Sequence, residues 1–404
     1  MRAPLDRRGL LAGAATALAI PASAQQRIDL QLPGGPSDRP LTGGFPGKGP
    51  MIVQRVHPPL LETAMDVFDR DVFTPNDRFF VRWHWGDIPT MIDVASFRLA
   101  IHGHVRTPLM LSLAQLLRMP RIEMAAVNQC SGNSRGLFQP RVPGAQWANG
   151  AMGNARWMGV RLRDVLDQAG VLADAVAVRF GGLDGLTVPG APRFEKALAI
   201  DHARDGEVMI AFGMNGEQLP LLNGFPIRLV VPGWYSTYWV KMLSDIEVLA
   251  APDDRYWTSK AYRIPATPGA DVAPGSKDFP TVPITRMVPR SFITSHREGQ
   301  VVGQGPGVAV GGIAFGGDSG VAKVEISDDG GRSWRVAILG PDHGKYSFRR
   351  WDAPLSTGQV GRQTLMVRCT NAAGLAQPMQ PIWNPSGFMR NTVETLTIEV
   401  RTDA

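Results

Sequence analysis

Only two cysteines, Cys130 and Cys369, occur among the 404 residues. So few sulfurs exclude a disulfide-stapled scaffold, and they fall in segments of different character, which argues against a bridge between them. No Cys-x-x-Cys-His is present, so haem attachment of the c type has no site in the sequence. Neither G-x-x-x-x-G-K-[ST] nor G-x-G-x-x-G occurs, which removes the familiar nucleotide-binding loops. Charge is also sparse. Asp, Glu, Lys and Arg make up 19% of the chain, and the net charge of +6 is scattered rather than gathered into a stripe, so nucleic acid is not an expected partner. The apolar run from Leu10 to Ile20 is too short for a hydrocarbon core about 30 Å thick, and no transmembrane segment is expected.

That run follows Arg7-Arg8 and precedes Ala22-x-Ala24, the pattern of a removable signal. Residues 1–24 are therefore expected to be a twin-arginine signal peptide, placing the mature protein in the periplasm. Hydrophobic residues, at 44%, suffice for a sizeable core and two or more domains. With 45 glycines and 33 prolines, turns and loop-built sites are favoured over long helices. Residues 25–50 are Pro- and Gly-rich and read as an extended, poorly packed arm. Between 51 and 275, strand-like runs such as Phe79 to Trp85 and Ile227 to Pro232 interleave with helical patterns, notably Val160 to Gly170. Without a regular βαβ repeat, α+β is the expected class. Composition shifts at 265–285, where ATPGADVAPGSKDFP reads as a linker. From 276 to 404 short β-prone runs recur between turns, which predicts an immunoglobulin-like sandwich.

The chemistry is expected in the central region. NQCSGNSRGLFQP surrounds Cys130 with small polar residues, a loop setting rather than a core one. In FFVRWHW, alternation sends Arg82 and His84 to one face, toward an anion. The run from Ala145 to Gly159 suits close approach to a flat ligand, and NGFPIRLVVPGWYSTYWVK brings Arg228 and Lys241 to a glycine turn as phosphate anchors.

The ordered set FFVRWH, QCSGNSR, VPGAQWANGAMGNARWMGVRL, FGGLD, AFGMNGEQLP, NGFPIRLVVPG, YWVK, KAYR, SDDGG-x-SW and WN-x-x-G resembles the sulfite oxidase family of molybdenum enzymes, the bacterial periplasmic sulfite dehydrogenases in particular. The resemblance implies a molybdopterin-binding domain over 51–275 and a dimerisation-type domain over 276–404. It implies one molybdenum with one pyranopterin dithiolene, and Cys130 as the protein's thiolate ligand to the metal. Arg82, His84, Arg135 and Tyr262 match the substrate pocket: the arginines would grip sulfite, and Tyr262 would donate a hydrogen bond at the metal or to substrate. Trp147 would wall the pocket. Phe80, Val81, Arg82, Trp83, His84, Asp184, Asn223, Arg228, Trp239, Val240 and Lys241 match positions that hold the pterin and its phosphate. The implied reaction is oxidation of sulfite to sulfate. Electrons would pass to a c-type cytochrome, since the chain carries no haem motif of its own. A related S-oxide reductase, acting on methionine sulfoxide for example, is the alternative, although that branch normally lacks the C-terminal domain. Two positions depart from the pattern. Asn223 stands where many members have histidine, and Ser386 where the animal enzymes have an arginine; Arg390 is the nearby candidate to replace its charge. Cys369, in LMVRCTN, reads as a buried strand residue.

Overall fold

The computed structural model describes residues 26–402. The expected signal peptide lies outside the described residues. Within them strands predominate and helices are short, the longest being Leu162–Ala169. This is more β-rich than the α+β expectation. The helix forms where periodicity predicts it: Leu162, Val165, Leu166 and Ala169 are buried at helical spacing, and Gly170 ends it with φ 69°. Elsewhere the frequent glycines and prolines stop helices within a turn.

Three sheets build the N-terminal half. The first is a five-stranded antiparallel meander, Arg27–Asp29, Asp38–Thr42, Met51–Arg55, Leu60–Glu62 and Val81–Arg82. It corrects the expectation of a poorly packed arm over 25–50: residues 26–50 are extended, yet two of these strands come from them. Leu32 is buried, as is the Lys48 side chain. Proline and glycine set the turns of this segment without preventing its strands from pairing. The second sheet runs in the order Glu195–Ala199, Ala177–Gly182, Leu243–Leu249, Arg98–Gly103, Leu109–Ser112, with one parallel pair at Leu243–Leu249 and Arg98–Gly103. The third contains Met209–Met214, Met152–Arg161 and Ile122–Gln129 in that order, with Arg228–Val230 added beside Met209–Met214.

Residues 263–283 fold back as a short antiparallel pair, Arg263–Pro265 with Thr281–Pro283. Beyond them two sheets face each other. One holds Arg290–Ile293, Gly305–Phe315, Arg349–Thr357 and Ile338–Leu339. The other holds Gln300–Gly303, Glu394–Arg401, Gly361–Asn371, Val321–Ser327 and Arg335–Val336. Their inner faces meet on Val310, Ile326, Trp351, Leu365, Val367, Cys369 and Ile398, so Cys369 is a core residue as expected.

The two halves share a third core in which Phe68, Val127, Met152 and Tyr235 meet Phe292, Ile313, Phe315 and Phe348. A buried polar cluster lies beside it. Glu394 accepts hydrogen bonds from Arg290 Nη2 at 2.5 Å and Arg390 Nη1 at 2.9 Å, while Asn149 Oδ1, from the N-terminal half, accepts from Arg290 at 3.3 Å. Burial pushes the Glu394 carboxyl up, but the Arg390 and Arg290 charges outweigh it and hold the group below its ordinary range. Removing one partner of a buried pair strands the other charge, so Glu394→Ala should lower the unfolding free energy by about 3–5 kcal/mol in denaturant titration. A Glu394→Ala protein as stable as wild type would contradict this account of the cluster.

Candidate active site

The first and third sheets, with the chain just outside the second at Phe194 and Lys241, border a small cavity. Strand Ile122–Gln129 delivers Cys130 to its wall, because the ladder with Met152–Arg161 ends at the Gln129–Met152 pair and the chain turns there. The turn is held by its own polar side chains. Cys130 N–H donates to Ala151 O at 2.9 Å, Asn133 Oδ1 accepts from Ala151 N–H at 2.9 Å, and Asn133 Nδ2 donates to Asn149 O at 3.0 Å. The small polar residues around the cysteine therefore fix a loop of defined shape, with Ser134 at φ 68°.

Arg82 and His84 both line the cavity, as strand alternation predicts, although ladder pairing covers only Val81–Arg82. Phe80, Val81, Asn223, Arg228, Trp239, Lys241 and Tyr262 join them. Arg228 lies over the rings of Trp157 and Trp239, 5.0 and 5.6 Å from their centres, and Nη1 donates to Asn223 O at 2.9 Å. Lys241 Nζ donates to Arg82 O at 2.8 Å and lies 4.3 Å from the centre of the Trp83 ring. Trp83 thus supports Lys241 from behind the wall, and its Nε1 donates to Leu222 O at 3.0 Å.

Four other expected residues stand back from the cavity. Trp147 is 1% exposed and lies in the main core; it does not wall the pocket, and its carbonyl instead accepts from Gly136 N–H at 2.9 Å behind the cysteine loop. Val240 is buried, its carbonyl occupied by Leu229 N–H at 2.8 Å. Asp184 is buried near Lys241, and burial raises its carboxyl above the ordinary range against the pull of that lysine. Arg135 lies behind Cys130, walled by Gly132 and Gly144, where an added Cβ would come within 2.6 and 2.7 Å of its guanidinium nitrogens. Burial, more than any neighbouring charge, lowers its pKa.

Asn223 sits at the wall, but its amide is already engaged: Nδ2 donates to Phe80 O at 3.1 Å and Oδ1 accepts from Lys48 Nζ at 2.5 Å. Arg390, tied to Glu394, does not replace an arginine at position 386. Sequence reasoning missed the cavity-lining residues Phe79, Asn128, Ser131, Phe194, Leu222, Ser236 and Thr237, and the buried lysines Lys48 and Lys196. Asn128 and Ser131 flank Cys130, Phe79 opens FFVRWH, Leu222 precedes Asn223, and Ser236 and Thr237 lie within NGFPIRLVVPGWYSTYWVK, so these were within reach of the local patterns; Phe194, Lys48 and Lys196 carry no such signal.

The electrostatics are one-sided. No Asp or Glu lines the cavity, and among the described residues Arg82, Arg135, Arg228, Lys48, Lys196 and Lys241 form no salt bridge. Burial lowers Arg228 to about 9 and Lys48, Lys196 and Lys241 to about 7. His84 falls well below its ordinary value through burial and the charges of Arg82 and Lys241, whereas burial raises Tyr262. Tyr262 Oη and His84 Nε2 share a hydrogen bond 2.5 Å long. Arg82 Nη1, Asn128 Nδ2, Ser131 Oγ and Arg228 Nε are buried without hydrogen-bond partners. Such groups call for a polar, anionic ligand.

The comparisons with known proteins specify the class of a chain with such a cavity. Residues 85–257 match the oxidoreductase molybdopterin binding domain, and residues 282–401 the Mo-co oxidoreductase dimerisation domain. Human mitochondrial sulfite oxidase is 34% identical over 347 residues, covering 82% of this chain and 62% of the human protein. Chicken sulfite oxidase is 31% identical over 375 residues, covering 89% of this chain and 80% of that protein. The sulfane dehydrogenase SoxCD from Paracoccus pantotrophus has the same fold, with a TM-score of 0.72 at 23% identity over 96% of this chain and 92% of that one. The chain belongs to the sulfite oxidase family. Its residues fit the molybdenum cofactor that this membership indicates: the cavity presents a soft sulfur, two basic anchors and unpartnered donors.

The buried lysines make stability depend on pH. Unfolded, each titrates near about 10.4; folded, near about 7, so between those values the unfolded chain binds more protons and stability rises with pH. For cofactor-free protein the melting temperature should climb from pH 7 to pH 9, and inorganic phosphate should flatten the climb. Lys241→Met, removing one of three such groups, should reduce the slope by about a third.

Proposed function

We propose that the protein oxidises sulfite to sulfate at a molybdenum bearing one pyranopterin dithiolene, and that Cys130 supplies the protein's ligand to the metal. The observation that carries this reading is the set of buried cations around Cys130 with no carboxylate among them, a surface that only an anionic ligand and an anionic substrate together offset. When bound, the group supplies oxygen-atom transfer with a two-electron change. Arg228 and Lys241, with Asn128, Ser131 and Thr237 beside them, would hold the pterin and its phosphate through charge-assisted hydrogen bonds. On the Arg82 side, the guanidinium would take a sulfite oxygen with its unpartnered Nη1. Tyr262, kept protonated, and His84, kept neutral, share a hydrogen bond that adds no charge beside Arg82. Arg135 adds positive potential from behind the cysteine loop and favours the anion over a neutral sulfur compound.

The remaining parts of the reading follow from the sequence. A twin-arginine signal at 1–24 would deliver the folded protein to the periplasm, with a c-type cytochrome as electron acceptor and no haem in this chain. The two facing sheets of 276–404 are read as immunoglobulin-like and as the surface that pairs two copies. Among the described residues no helix is long and apolar enough to cross a membrane.

Protein from a host that makes the cofactor should contain molybdenum and reduce ferricytochrome c in the presence of sulfite. Cys130→Ser should lose more than about 100-fold in that rate, since even residues that only orient metal ligands are worth 10- to 100-fold. Equal turnover by Cys130→Ser, or methionine sulfoxide reduction in place of sulfite oxidation, would overturn the proposal.

A further inference from the structure

One loop of the C-terminal half, running from Trp383 to Met389, reaches the back of the cavity. It is braced internally by Asn384, whose Nδ2 donates to Phe388 O at 3.0 Å and whose Oδ1 accepts from Phe388 N–H at 3.2 Å. Its contacts with the catalytic half are specific. Met389 N–H donates to Ser131 O at 3.2 Å, next to Cys130, and Ser386 Oγ donates to Arg263 O at 3.0 Å, next to Tyr262. The Ser386 carbonyl accepts from Arg135 Nη2 at 3.1 Å. The Phe388 ring stacks on Tyr262 with centroids 5.6 Å apart and planes 6° from parallel, and it receives the Arg135 guanidinium 5.0 Å from its centre. Gly387, at φ 60°, lets the loop come this close: a Cβ there would lie 2.8 Å from Arg135 Cγ and 2.5 Å from Val142 Cγ2.

Every group that orients Arg135 is therefore neutral. A carboxylate in the same place would fix the side chain equally well but would cancel its charge, whereas a carbonyl and an aromatic face aim the guanidinium and leave its charge for an anion. Phe388 also reaches Tyr262, so one ring touches both groups without lining the cavity itself.

We propose that Phe388 is a positioning residue, contributed by the C-terminal domain, that sets the anion affinity of the site by holding Arg135 and Tyr262 in register. The inference rests on the reading of sulfite as substrate. Its effect falls on binding rather than on the chemical step, because the ring touches no reacting atom.

The test uses molybdenum-loaded protein and two readouts, steady-state sulfite oxidation and calorimetric titration with sulfate, an unreactive oxyanion of the same charge. Phe388→Leu keeps the apolar volume and removes the aromatic face; Phe388→Tyr keeps the face. The leucine variant should raise both the sulfite KM and the sulfate Kd about tenfold, an interaction loss of about 1.4 kcal/mol, with kcat within about twofold of wild type. The tyrosine variant should match wild type on both. If the leucine variant fails to fold, Gly387→Ala, which presses on Arg135 from the same loop, should weaken sulfate binding in the same direction. Unchanged KM and Kd in an active Phe388→Leu protein, or a fall in kcat alone, would overturn the inference and leave sulfite oxidation standing. Loaded wild type that does not turn over sulfite would instead overturn the substrate reading, and the sulfate titration would still report on Phe388.

Discussion

Burial of positive charge without a protein counter-charge is the constraint on which this structure turns. An isolated buried cation costs several kcal/mol, and a fold normally avoids that by pairing it. This chain does so elsewhere: Arg290 is held by Glu394, and Arg179 by Glu247 and Asp253. Around Cys130 it does not. Arg82, Arg228 and Lys241 share a cavity wall with no acid, while Asp184, the nearby carboxylate, is itself buried and stands back from the cavity. At the cavity wall that cost falls where a ligand can offset it, so ligand binding and folding stability are linked there.

Neutral groups do the holding that acids would otherwise do. Arg228 is fixed by two aromatic rings and the carbonyl of Asn223, and Lys241 by the Arg82 carbonyl and the Trp83 ring. Lys48 is fixed by carbonyls of Asn76 and Phe79 and by the Asn223 amide. Indole faces and backbone oxygens supply direction at little cost in net charge. This gives three of the ten tryptophans a physical use: Trp83, Trp157 and Trp239 are fully buried, each against one of these cations.

The parts of the site legible in the sequence are those whose signal is local. Alternation in FFVRWH placed Arg82 and His84 on one wall, and the polar loop marked Cys130, because both patterns span only a few residues. Lys48 was hidden by its setting: a Pro/Gly-rich stretch looks solvent-bound, yet its lysine docks on Asn223, 175 positions away. Resemblance placed Trp147 against the pocket, whereas it is fully buried outside the cavity lining, its carbonyl on Gly136 N–H, a placement that no sequence pattern encodes. The strand Arg349–Thr357 was hidden differently. Its buried positions alternate correctly at Trp351, Ala353, Leu355 and Thr357, but Ala and Thr blur the period, and Arg, Asp and Pro interrupt its hydrophobicity.

Ser386 shows why composition at a single position misleads. Serine at this position gives the loop no charge of its own there, and Arg390 does not supply one, being spent on Glu394. What the loop keeps is its carbonyl, which needs no particular side chain, and the aromatic ring two residues on. On the proposed reading, the anion site draws its charge entirely from the N-terminal half, and the C-terminal half contributes geometry. Such a division ties the two domains together more tightly than a shared charge would. Coulomb attraction falls off slowly and tolerates a shift of an ångström, whereas a carbonyl hydrogen bond and a stacked guanidinium do not. The shared apolar core of Phe292, Ile313 and Phe315 against Val127 and Met152 supplies that rigidity, since it lies directly beneath the strands that carry Cys130 and face it.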